Sequence, residues 1–152
     1  MIISKTREEI ELMRESAMIV SKTLGMIASE IKPGVTTLYI DKLAEEFIRD
    51  HGAEPGFLGM YGFPNSLCMS PNAQVVHGIP NATPLQEGDI ISVDCGAFKN
   101  GFYGDHAYSF KIGEVSPEIE KLLQVTKESL YVGIREFKAG NRVEDVGSAI
   151  QK

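Results

Sequence analysis

The sequence is short of thiols, of positive charge and of long apolar runs. Its two cysteines, Cys68 and Cys95, are too few for a disulfide scaffold and fit a reducing cytoplasm. Lysine and arginine number 15 against 21 aspartates and glutamates, for a formal net charge of −6. That balance argues against nucleic acid or an anionic membrane as partner. No stretch approaches the ~18 apolar residues of a membrane span. The opening MIISKTREEIELMRE has no apolar core of the kind a secretory signal needs. What is left reads as a soluble globular chain. Its 152 residues are 43% apolar, one domain's worth or part of a larger one.

Charge is also missing locally. From Pro55 to Gln86 there is no Asp, Glu, Lys or Arg, yet the segment holds five of the seven prolines. It is too rich in Pro and Gly for a membrane span and too apolar for a floppy linker. It reads as the wall of a pocket, with short strands near Leu67–Met69 and Gln74–His77. Met60, Tyr61, Phe63, Leu67, Cys68 and Met69 could line an apolar slot, or could simply be core. His77 is the only histidine between His51 and His106. The turn Gly78-Ile79-Pro80-Asn81 after it would expose its imidazole at a strand end. A lone histidine is more often structural than catalytic, but a near-neutral titrating group in a charge-free wall is a candidate.

The strongest pattern is Ile90–Ile112, two strands joined at Asn100-Gly101. Both turn residues tolerate positive φ, which favours a two-residue type I′ turn. Lys99 then pairs with Phe102 and partner numbers sum to 201. Asp94 lies opposite Ala107 and Asp105 opposite Gly96, so the two acids are diagonal neighbours on one face. A slip of two in that sum would make them direct partners, still on one face. Adjacent carboxylates repel, and a divalent cation between them is one answer, since hard cations take oxygen ligands. A solvated polar face is the other. The apolar residues Ile90, Ile91, Val93, Phe98, Phe102 and Phe110 argue for a largely buried hairpin instead. Cys95 and His106 point to the opposite face.

Helices flank this centre. Thr6 and Glu9 form a capping-box pattern, followed by Ile10, Met13, Ala17, Val20, Leu24, Ile27 and Ile31 on one face. Pro33-Gly34 stops that helix. The next begins near Thr37, with Ile40, Leu43, Ala44, Phe47 and Ile48 inward, and ends at Gly52. His51, in its last turn, reads as structural. Ser116-Pro117 opens a third helix, with Ile119, Leu122, Leu123, Thr126, Leu130, Ile134 and Phe137 on one face. A last one starts near Val143. A helix, a Pro-Gly or Ala-Gly break and a second helix thus occur twice, in outline. The expectation is an α+β duplication. Residues 1–113 would be the first repeat and 114–152 the start of the second, so that the 152-residue domain looks truncated.

The segments YGFPNSLCMSPNAQVVHGIP, LQEGDIISVDCGAFKNGFYGDHAYSF and VTKESLYVGIREFKAG resemble the type I methionine aminopeptidases, over essentially the whole chain. The HGIP turn and the DxGxxxxGxxGD spacing occur together, which makes the resemblance specific. It implies the pita-bread (creatinase/aminopeptidase-like) fold, a duplicated ααββ unit. It implies two divalent metals of the Co, Mn, Fe or Zn type, held by two Asp, one His and two Glu. Asp94 and Asp105 match the two Asp. His77 matches a histidine that hydrogen-bonds the substrate and steadies the tetrahedral intermediate. Cys68 and Phe63 match the methionine pocket, Phe63 standing where a Tyr is common; Met60 falls where an aromatic is often found. The remaining His and Glu ligands, and the family's general base, belong to the second repeat and have no counterpart here; Glu144, in a helix, is not a candidate. The resemblance therefore implies a cytoplasmic enzyme, monomeric when complete, that removes the first methionine from nascent proteins. This chain would carry part of the site, with little activity and no tight metal of its own. The alternatives are a non-catalytic peptide-binding module of the same fold and a prolidase-like peptidase.

Overall fold

A computed structural model describes residues 3–152. Met1 and Ile2, which open the N-terminal stretch read above, lie outside the described residues. The described residues form two compact units, the first running to Glu114 and the second from Val115 to Lys152.

In the first unit, helix α1 spans Arg7–Glu30 and helix α2 Thr37–Asp50. The Thr6–Glu9 capping box forms as the pattern predicts, each side chain bonding the other residue's backbone N–H. Gly52, at φ 68°, follows α2 and donates to Arg49 O. His51 closes the helix: its Nδ1 lies 2.8 Å from Phe47 O and its ring stacks on Phe47, the structural role expected.

The sheet is built on β3 (Ile90–Lys99). β4 (Phe102–Lys111) pairs with its whole length, β2 (Leu67–Pro71) with Ile91–Cys95, and the two-residue β1 (Glu54–Pro55) with Ala97 and Phe98. All pairings are antiparallel. Asn100 (φ 53°) and Gly101 (φ 83°) make the expected turn, and Lys99 pairs with Phe102. The register is the one predicted, without the slip of two.

One sheet face carries Leu67, Met69, Ile91, Val93, Cys95 and Ala97, all buried. With Val20, Leu24 and Ile27 of α1 and Ile40, Ala44 and Ile48 of α2 they form the core. The α1 stripe departs from the prediction. Ile10 and Met13 are exposed, whereas Ser16 and Thr23 are fully buried. The hairpin is the reason. Ser16 Oγ faces two backbone carbonyls at its turn, Lys99 O at 3.3 Å and Phe102 O at 3.0 Å. A main-chain neighbour there needs a donor, not a methyl group. Residues 74–77 form no strand, contrary to expectation; Val75 and Val76 are 83% and 67% exposed in a loop.

The second unit holds α3 (Pro117–Glu136) and α4 (Val143–Gln151). Ser116 caps α3 and Pro117 opens it, as predicted. The apolar face foreseen for α3 lies largely open: Leu122, Leu130, Ile134 and Phe137 are more than half exposed. No helix among the described residues is long and apolar enough to cross a membrane.

Candidate active site

The second face of the sheet is small and polar at its middle, with the Phe98 and Tyr103 rings at the end nearest the hairpin turn. β2 contributes Cys68 and Ser70, β3 contributes Ser92, Asp94 and Gly96, and β4 contributes Asp105, Ala107 and Ser109. Cys68 pairs with Asp94, which pairs with Ala107, and Gly96 pairs with Asp105. The two acids are therefore diagonal neighbours, as the turn dictates.

Their carboxyl groups meet. Burial, then the charge of Asp105, then a hydrogen bond shared with it push the Asp94 pKa up. His77 is near enough for its charge to pull the same group down. Asp94 Oδ1 is buried and has no hydrogen-bond partner among the described residues. A buried carboxylate oxygen without a donor is costly. Here it borders a second carboxylate among small side chains. That donor set fits a hard divalent cation, for which paired carboxylate oxygens are the natural ligands. It fits only part of a site: no group of three or more His, Cys, Asp or Glu that could hold a metal occurs among the described residues.

Cys68 is buried beside the pair, and burial together with the Asp94 and Asp105 charges pushes its thiol up to about 11. It stays protonated near neutral pH and serves as a soft, neutral wall. Cys95, on the core face as predicted, is pushed to about 12 by burial and the same two charges. His106 pairs with Cys95 and lies on that face too.

His77 stands in a turn at φ 57°, a conformation few non-glycine residues adopt. It is exposed, as expected. Met60 sits in a single 3₁₀ turn, Met60–Gly62, and is 41% exposed; Phe63, just after it, is half-buried. Three of the six residues that could line the slot lie elsewhere. Leu67 and Met69 alternate with Cys68 and point into the core. Tyr61 is fully exposed.

The structure adds two residues that the sequence reading left out. The Phe57 ring covers Gly96, so closely that a β-carbon there would lie 2.6 Å from the ring. Gly96 faces Asp105 across the hairpin, so Phe57 borders the carboxylates. Asp41, buried on α2, accepts from Asn65 Nδ2 (2.8 Å), Ser66 N (3.0 Å) and Leu67 N (2.8 Å). Burial raises its pKa, and these three hydrogen bonds hold it partly down. It pins the chain one residue before Cys68. A surface cleft of about 440 Å³ lined by Glu15, Met18, Lys22, His51 and Lys99 shares no residue with this site.

A model of metallopeptidase family M24 matches residues 11–152. The chain belongs to that family. It is 52% identical over 153 aligned residues to a methionine aminopeptidase of Clostridium acetobutylicum, and 47% identical over 151 to methionine aminopeptidase 1 of Bacillus subtilis. These alignments take in 100% and 99% of this chain and 61% of each relative. Among solved structures, methionine aminopeptidases of Rickettsia prowazekii and Thermotoga maritima superpose with TM-scores of 0.97 and 0.96 at 38% identity. Each covers 99% of this chain, which spans 61% of either one. A prolidase of Pyrococcus furiosus, at 18% identity and a TM-score of 0.84, shares the fold. The family chain thus has the first part of the pita-bread fold, and spans about three-fifths of the relatives it matches.

Proposed function

We propose that this M24 chain carries the substrate-side half of a methionine aminopeptidase centre, one that releases the first methionine of nascent proteins in the cytoplasm. The observation that carries the reading is the buried, unpartnered Oδ1 of Asp94 beside the Asp105 carboxyl group. In this reading Asp94 and Asp105 hold two divalent cations of the Co, Mn, Fe or Zn type. When bound, such metals supply Lewis acidity and a water of lowered pKa. His77 donates a hydrogen bond to the oxygen of the scissile carbonyl and steadies the charge that develops there. Cys68, Phe63 and Met60 form the slot for the methionine side chain, and Phe57 closes it on the Gly96 side. The neutral Cys68 thiol suits a thioether. The second unit, from Val115, opens the second repeat of the fold.

The test uses Met-Gly and Met-Ala peptides with added Co²⁺ or Mn²⁺, and two lengths of protein. One is the 152-residue chain; the other extends it to the length of its relatives. The long form releases methionine, Asp94→Ala abolishes this, and the short form shows no turnover. Turnover retained in Asp94→Ala rejects the carboxylates as metal ligands; robust turnover by the short form rejects the division of the site. Release from Xaa-Pro dipeptides in place of Met-Ala would favour a prolidase-like specificity.

A further inference from the structure

His77 keeps an unfavourable backbone conformation, and the structure shows what holds it there. The next residue, Gly78, is tied to β2 by both of its backbone groups. Its N–H donates to Ser70 Oγ at 3.0 Å, and its carbonyl accepts from Met69 N at 2.8 Å. The approach is so tight that a β-carbon on residue 78 would fall on the Met69 carbonyl. Gly78 is buried, Ser70 is 4% exposed, and Ser70 lies two residues from Cys68 on the site face. The other end of the turn is anchored separately. Asn81 N donates to Thr37 Oγ1 at 2.8 Å, while Thr37 Oγ1 and Leu38 N donate to Asn81 O at 3.1 and 3.0 Å. A residue at φ 57° is strained, and here the backbone that follows it is held at two points.

We infer that Ser70 is a positioning residue for His77: its hydroxyl holds Gly78 against β2 and so fixes where the His77 imidazole is presented to substrate. The inference rests on the catalytic reading of His77. Ser70 itself touches no reacting atom. Its hydroxyl matters because a buried N–H that loses its acceptor seeks another, and the turn that carries His77 moves with it. The cost belongs in kcat, since a misplaced donor weakens transition-state stabilisation more than ground-state binding.

A double-mutant cycle on the metal-loaded protein at the length of its relatives tests this, with a Met-Ala peptide as substrate. Ser70→Ala lowers kcat at least tenfold with KM within twofold, and Ser70→Thr, which keeps the hydroxyl, restores most of it. In a His77→Ala background Ser70→Ala changes kcat less than twofold. An equal loss in both backgrounds overturns the inference, as does an unchanged kcat in Ser70→Ala. A His77→Ala protein with unchanged kcat instead overturns the catalytic reading of His77, and the inference with it. Ser70→Cys, of similar volume and weaker as an acceptor, replaces Ser70→Ala in both arms if the latter does not fold. Amide exchange on the 152-residue chain gives a readout free of activity. Ser70→Ala removes protection at Gly78 and leaves it at Leu67, whose N–H is held by Asp41. Unchanged protection at Gly78 counts against the clamp.

Discussion

The Asp94 carboxyl group is caught between burial, which disfavours its charge, and Asp105, which repels it. Both effects raise its folded pKa above the unfolded value. An acid shifted this way binds more protons in the folded state across the interval between the two values. Stability therefore falls as pH rises through that interval. The metal-free chain should lose stability from the ordinary aspartate range, about pH 4, upward through the raised folded value. Asp94→Asn removes this term, and its amide can donate to the Asp105 carboxylate instead of repelling it. We expect Asp94→Asn to be more stable than the wild type at pH 7, by on the order of 1 kcal/mol, with the gap closing towards pH 4. Urea melts at the two pH values measure it. Saturating Mn²⁺ should raise the wild-type midpoint and leave that of Asp94→Asn unchanged. A wild type that is the more stable at pH 7 without metal would contradict the account. Residues of this kind were legible in the sequence because they lie two apart on strands of known register. Asp41 and Phe57 were not. Asp41 acts on a loop 24 to 26 residues away in sequence, and Phe57 is placed by the absence of a side chain at Gly96. Neither contact has a local pattern to announce it.

At the scale of elements, the hairpin shows how a two-residue turn sets a site. Asn100 and Gly101 both take positive φ, so the loop has one length and the strands one register. A slip of one would put Asp94 and Asp105 on opposite faces of the sheet. Gly101→Val keeps the strand sequences and places a β-branched side chain at φ 83°. The left-handed conformation costs about 1–2 kcal/mol for such a residue. We expect a matching drop in unfolding free energy by urea denaturation; a loss of a few tenths would mean that the turn does not set the register. The same element marks where periodicity stops being informative. The predicted α1 face was apolar throughout, yet Ser16 and Thr23 are buried in it. Ser16 meets carbonyl groups of the hairpin turn, and the Gly104 backbone packs on it so closely that a β-carbon would lie 2.5 Å from Ser16 C. Hydrophobic spacing locates a helix face to within a residue or so; a polar main-chain neighbour then decides which side chains occupy it. The failed strand at 74–77 has a similar cause. Its β-branched valines favour a strand, but Asn72 and His77 both turn the backbone at positive φ.

At the scale of the whole molecule, the two units differ in what they bury. The first has a closed core of helix and sheet residues. In the second, Gly133 is the only α3 residue buried, and Leu122, Val125, Leu130, Ile134, Phe137 and Val143 are all more than half exposed. Apolar area left in water contributes about 25 cal/mol per Å² when something covers it, and in a solution of this chain alone the available cover is another copy. The average mass should therefore rise above 16.7 kDa as concentration increases from micromolar towards millimolar, as read by sedimentation. Leu130→Lys with Ile134→Lys places charge on that surface without removing a buried side chain, so helix content by circular dichroism should hold. The same pair should abolish the concentration dependence. A wild-type chain that stays at monomer mass throughout would show that these side chains are tolerated in water, as scattered surface residues usually are. Association that survives both lysines would place the contact elsewhere, with the exposed Val75, Val76 and Ile79 around His77 as the next surface to test.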